Sequence, residues 1–192
     1  MEKKSTCETT DMICHRQVLF SLLLAAGIVL SLPWAVGADA DYTDRVNVFL
    51  GTDSSAQCSP AAIRPLGMIS PGPLNRTNAP CGYQWRTKEL IGFNHTHLQG
   101  TGCGSYGVLV LLPTTGNKEL GTMVNVPPHR QVAQPGYYRA DIDQMKIRAE
   151  MTCTRRAAIH RYTFPTSDSA RVLIDLSKGV HWAGHKPGSM RG

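Results

Sequence analysis

The stretch GFNHTHLQGTGCGSYGVLVLLPTTG, residues 92–116, sets two histidines and five glycines (Gly92, Gly100, Gly102, Gly104, Gly107) directly ahead of an apolar run, Val108 to Leu112, bounded by Pro113. The apolar run reads as a buried strand, and the segment before it must do something other than fill a core. Three chemistries fit such a segment. Gly102-Cys-Gly104-Ser-Tyr-Gly107 matches G-x-G-x-x-G, but a dinucleotide fingerprint needs a preceding strand and a following helix to place phosphate at a helix N-terminus, and here a strand follows. His95 and His97 lie two apart, so an extended segment would point both the same way, toward a shared metal; the plainer alternative is one histidine buried and hydrogen-bonded while the other faces solvent or a ligand. In the third reading the glycines turn the backbone sharply and let another surface approach. His95, Thr96, His97, Gln99 and Thr101 then supply neutral donors and acceptors of the kind a sugar needs, although an ordinary glycine-rich loop would look the same.

Working outward, residues 1–40 have the layout of a secretory signal. Lys3, Lys4 and Arg16 precede an uncharged apolar run from Val18 to Leu32, then Pro33 and a small-residue patch ending at Ala38 or Ala40. The run is shorter than the roughly 20 residues a spanning helix requires. Four cysteines remain in the exported chain, Cys58, Cys81, Cys103 and Cys153; they allow three two-disulfide connectivities but form no compact framework and no C-x-x-C. The whole chain carries a formal charge of +6, and without the signal it is about +7. Its basic residues are dispersed, with no aromatic-rich basic patch, which argues against nucleic acid as the partner.

Beyond the signal the pattern has period two. Met145, Ile147, Ala149 and Met151 alternate with Lys146, Arg148 and Glu150, which predicts a half-buried antiparallel strand joined to residues 136–142 by a tight Asp143-Gln144 turn. Residues 158–164 alternate again, with His160 and Tyr162 on one side, and 171–176 form a further strand, expected to be buried. Pro71-Gly72-Pro73 and Pro127-Pro128 read as surface loops. No amphipathic helix stands out. Short strands punctuated by Gly and Pro indicate an all-β antiparallel sandwich. The tail from 178 to 192 ends in small and basic residues just after a strand and reads as cut short.

The opening string resembles the G-F-S-H-T-H-L-S-G-T-G segment of glycoside hydrolase family 92, the calcium-dependent exo-acting α-mannosidases. VNVFLGTD (46–53), RPLGMISPGP (64–73), CGYQW (81–85), PGYYRADI, IHRYTFP and VLIDLSKG resemble further family motifs in the same order, over about residues 42–180. The resemblance implies that residues 41–192 are an N-terminal β-sandwich, similar to the galactose-mutarotase-like supersandwich, normally followed by an (α/α)6 barrel. It implies that the general acid, the carboxylate that activates water and the calcium ligands lie mainly in that barrel, and that sandwich loops close over the active-site mouth.

Several positions depart from the family pattern. AQCSPA (56–61) stands where the family has G-H-T-F-P-G, Asn94 replaces a serine, Val108 an aspartate, and Trp85 follows the tyrosine of its motif instead of preceding the motif. No carboxylate falls in a catalytic motif, and inverting hydrolysis needs two about 6.5–9.5 Å apart. The expectation is therefore an exported, carbohydrate-contacting domain of an α-mannosidase, inactive without a barrel supplied in cis or by another chain. It has no catalytic or metal-binding residues of its own. Sugar contacts are expected from Trp85, His95, Thr96, His97, Gln99 and Thr101, and mannose-containing glycans are the expected ligands. A stand-alone carbohydrate-binding module is the alternative. Asn75-Arg-Thr77 and Asn94-His-Thr96 are formal glycosylation sequons.

Overall fold

The computed structural model describes residues 41–53, 57–75, 78–96, 99, 107 and 109–179, all within the unit Asp41–Gly192. Residues 1–40, His97, Thr101, the cysteine at 103, Val108 and the tail from 180 lie outside the described residues. Ten strands form: β1 (Gly72–Leu74), β2 (Glu89–Leu90), β3 (Gly92–Asn94), β4 (Val110–Thr114), β5 (Val124–Asn125), β6 (Gln131–Gln134), β7 (Tyr137–Ile142), β8 (Ile147–Cys153), β9 (Ala158–Thr163) and β10 (Arg171–Asp175). Among the described residues the helical structure is limited to three short 3-10 turns.

The strands make two four-stranded antiparallel sheets, β1-β3-β4-β10 and β6-β7-β8-β9, and a small β2-β5 pair. The second sheet is a meander built by alternation. Tyr138, Ala140 and Ile142 of β7 and Ile147, Ala149 and Met151 of β8 are buried, and they pack with Phe93 and Leu112 from the first sheet. Phe93 lies 6.4 Å from Tyr138 and 6.3 Å from Tyr162, ring centre to ring centre, so one aromatic side chain joins the layers. Side chains of opposite parity face outward, where the register aligns Asp141 with Arg148 and Arg139 with Glu150 and Arg161. The interior also holds one polar junction. Gln131 Oε1 accepts from the hydroxyls of Tyr83 (2.8 Å) and Tyr138 (2.9 Å) while its amide donates to the Val126 carbonyl, which is how buried hydroxyls avoid a desolvation cost.

Four local expectations need correcting. Pro71-Gly72-Pro73 is not a surface loop: β1 is buried throughout, covered where Ala62 N–H donates to the Pro71 carbonyl, and its prolines are tolerated because β1 is an edge strand. The apolar strand runs from Val110 through Pro113 to Thr114, because β10 continues the pairing after β3 has ended; Leu109, with φ of 64°, turns the chain into it. Met145 is buried but belongs to a 3-10 turn, and Lys146 in the left-handed region (φ 53°) completes a longer connection than a two-residue hairpin. Lastly, β10 is an exposed edge: Val172 and Ile174 keep 38% and 55% of their surface in solvent, since only alternate residues face the core.

Candidate functional site

The segment leaving β3 is held by side chains and backbone together. Gly92 lies so close to β4 that a Cβ would come within 2.9 Å of the Leu111 carbonyl oxygen, so any other residue would push the strands apart. Two residues on, Asn94 is fully buried and donates its amide to the Gly107 carbonyl at 3.2 Å, while Gly107 N–H donates to Thr96 Oγ1 at 3.2 Å. Gly107 has φ of 89°, a conformation glycine adopts without a steric cost. The two ends of the glycine-rich excursion are thus pinned together across the intervening residues.

Gln99 makes a second clamp. Its Oε1 accepts from Ser59 N–H at 2.7 Å and its Nε2 donates to the Ser59 carbonyl at 3.3 Å, so the side chain grips one peptide segment at both polar groups. Gln99 and Thr96 were expected to offer polar groups to a ligand; the structure engages both in shaping the loop. The remaining valence of each hydroxyl or amide is what a ligand would find.

Trp85 is half-buried and leans on Phe49, ring centres 4.5 Å apart and planes tilted by 58°. The Trp85 backbone N–H donates to the Thr52 carbonyl at 2.8 Å, Thr52 Oγ1 donates to the Phe49 carbonyl, and Arg86 pairs with Asp53 at 2.7 Å. This locks the 47–53 loop against residues 84–86 and fixes the indole as a rim platform. Phe49, the support of that platform, was not singled out from sequence; it lies inside VNVFLGTD, where its contact with Trp85 has no local signature.

His95 stacks on His160 of β9, ring centres 4.6 Å apart, and His160 Nδ1 lies 2.8 Å from the Tyr162 hydroxyl. Among the described residues His95 Nδ1, His160 Nε2 and Asn94 Oδ1 are buried without a hydrogen-bond partner; the expected division between one buried and one ligand-facing histidine involves His97, which lies outside the described residues. Burial lowers the His95 imidazole pKa, and burial together with neighbouring His95 brings His160 down to about 4. Both rings are therefore neutral near pH 7. His160 was read only as one face of a strand; nothing local marks it as the partner of His95.

Elsewhere the acids are engaged. A groove of about 630 Å³ on the outer face of β7–β9 is lined by Arg130, Asp141, Asp143, Arg148, Glu150 and Arg161, among others. There Asp141 pairs with Arg148, Asp143 with Arg130, and Glu150 with Arg161, each at 2.7 Å. The Arg161 pair and the Tyr137 hydroxyl hold the Glu150 carboxyl at a pKa of about 2. Among the described residues no three His, Cys, Asp or Glu side chains converge on one point. Both sequon asparagines are buried, and their amides donate to backbone carbonyls, so neither is presented for glycosylation in the folded domain. No helix among the described residues is long and apolar enough to cross a membrane.

A family model described as the glycosyl hydrolase family 92 N-terminal domain matches residues 45–191. A curated relative from Arthroderma benhamiae, called an uncharacterized secreted glycosidase, is 26% identical over 183 residues, 86% of this chain and 24% of the relative. The structure of a family GH92 α-mannosidase from Bacteroides thetaiotaomicron superposes with a TM-score of 0.71 at 31% identity, over 74% of this chain and 21% of that one. A second enzyme of that organism, described as an inverting mannosidase of the family, shares the fold at 22% identity with a TM-score of 0.62, over 71% of this chain and 20% of its own. The chain thus spans about a quarter or less of the length of these relatives. The ordered motifs, the two-sheet architecture and a family match across most of the sequence agree: this chain belongs to glycosyl hydrolase family 92, whose N-terminal domain it carries.

Proposed function

We propose that this domain supplies the sugar-facing rim of an exo-acting α-mannosidase that removes mannose from glycans and glycoproteins, and that it does not hydrolyse glycosides alone. The observation that carries the reading is the Trp85 platform, a half-buried indole braced by Phe49. An apolar ring face of this kind stacks on the C–H face of a pyranose, while fixed polar groups nearby orient its hydroxyls. His95, Thr96, His97, Gln99 and Thr101 are the proposed polar contacts. Thr96 and Gln99 act partly by holding the loop in shape, and the His95 ring is neutral, so it brings no charge to desolvate. Acid, base and calcium belong in this reading to an (α/α)6 barrel, in cis or from a separate chain. The calcium would hold sugar hydroxyls there. Residues 1–40 direct export, in keeping with a relative called secreted.

The test is titration of α-mannobiose into the chain, followed by tryptophan fluorescence and by product analysis. The expected result is weak binding, in the millimolar range typical of roughly −4 kcal/mol, with no mannose released. Trp85→Ala should abolish the binding, and chelation of calcium should leave it unchanged. Release of mannose by the chain alone overturns the division of labour. Tight saturable binding instead supports the stand-alone binding module.

A further inference from the structure

Gly51, Thr52, Asp53 and Cys58 are tied to one another and to residues 81–86. Cys58 N–H donates to the Gly51 carbonyl at 3.2 Å and Trp85 N–H to the Thr52 carbonyl at 2.8 Å, while Arg86 pairs with Asp53 at 2.7 Å. Between these ties the Cys81 thiol donates to the Cys58 carbonyl at 3.1 Å and, at longer range, to the Tyr83 carbonyl at 3.4 Å. Cys81 is fully buried and Cys58 is half-exposed. Cys153 is engaged elsewhere, donating to the Ala62 carbonyl at 3.0 Å.

We propose that Cys58 and Cys81 are a disulfide-forming pair, whose bond fixes the 51–58 loop to the segment that presents Trp85. A thiol lying 3.1 Å from its partner's carbonyl oxygen is compatible with the α-carbon separation of about 4.4–6.8 Å that a disulfide spans, and a rotation of the Cys58 side chain would bring its sulfur toward Cys81. The accessibilities are complementary. Cys58 is the thiol a donor can reach, and Cys81 is the buried one. The donor is an oxidised dithiol, either a small disulfide such as oxidised glutathione or a thiol–disulfide oxidoreductase. The Cys58 thiolate attacks one donor sulfur, breaking the donor S–S bond and releasing one donor thiol. Cys81 loses its proton to solvent, and its sulfur attacks Cys58 sulfur in the mixed disulfide, releasing the second donor thiol. Two protein thiols are oxidised and one donor disulfide is reduced. Burial raises the Cys81 pKa, so closure is the slower step. The bridge encloses residues 58–81 and ends beside both structures that shape the rim, Ser59 in the grip of Gln99 and Trp85 on Phe49.

The export reading contributes only the compartment in which such a donor is met, and the test supplies the donor itself. The full chain is reduced, then titrated with oxidised glutathione, alkylated and digested with trypsin without reductant. Arg76 separates the two cysteines into different peptides. Mass spectrometry is expected to find the Cys58 and Cys81 peptides linked and Cys153 alkylated, with Tm higher by about 5–10 °C than in the reduced protein. Cys58→Ser, at a half-exposed position, should remove both the linked peptide and the dependence of Tm on reductant, whereas Cys153→Ser should retain them. Linkage of either cysteine to the cysteine at 103, or alkylation of both across the titration, overturns the proposal. No sugar enters the assay, so its failure is distinct from a failure of the mannoside reading.

Discussion

The meander β6–β9 and the segment between β3 and β4 hold their shapes by different means. In the meander every second side chain faces the core, and backbone ladders continue from strand to strand. Among the described residues of the loop end no strand ladder continues. That end is held by Gln99 on Ser59, by Asn94 and Thr96 on Gly107, and by one ring resting on another at Trp85 and at His95. Apolar burial is distributed over many residues, so it yields a stable layer that tolerates outward substitution. Side-chain clamps are few and directional, and they shape a surface without adding much core. The meander thus carries stability, and the loop end carries the recognition proposed above.

That contrast breaks most easily at the core. Ile147→Ala should cost about 2–5 kcal/mol in urea unfolding, because Ile147 is buried at the β7–β8 interface; a loss well under 1 kcal/mol would mean that the meander is not the source of stability. The next effect is a pH dependence at the junction of the two regions. His160 titrates at about 4 in the folded protein and near 6.5 when unfolded, so the unfolded chain binds the extra proton between those values. Stability should be unaffected by this group above pH 6.5 and fall, on the order of 2 kcal/mol, as pH drops from 6.5 to 4. His160→Gln should flatten that slope in unfolding curves measured at successive pH values.

At the loop end, Gln99→Ala should lower global stability by only about 1 kcal/mol yet speed hydrogen exchange at Ser59 N–H by roughly tenfold, since the clamp shields one peptide segment. Equal exchange in both proteins would show that the clamp does not order the loop. The smallest effect belongs to the meander's outer face, where Arg161→Ala should leave urea unfolding almost unchanged and let the Glu150 carboxyl titrate well above its value of about 2 in an NMR pH series.

The regular half of this molecule was legible from residue order. The alternations at 145–151 and 158–164 marked which side chains face inward, because a strand's period of two is a local property, displaced at the first of these only where Met145 turned out to sit in the connection. Composition misled at Pro71-Gly72-Pro73, where cover by Ala61 and Ala62 makes a turn-like tripeptide into a buried edge strand, and at β10, whose apolar residues suggest burial although Val172 and Ile174 stay partly in solvent. The candidate site was half legible. Trp85, His95, Thr96 and Gln99 were marked by motif and chemistry, but Phe49, Ser59 and His160 were not, because what makes them matter is contact with residues distant in the chain.

Residue order by itself thus determined the all-β class, strands β7, β8 and β9 of the meander and the family to which the chain belongs, all of which rest on short-range periodicity and ordered motifs. Tertiary structure alone decided that Thr96 and Gln99 bind backbone, that His95 is stacked and neutral, and that Cys81 lies against Cys58. Those outcomes depend on which segments the packing of two sheets brings within a few ångströms, and on the water that their approach removes.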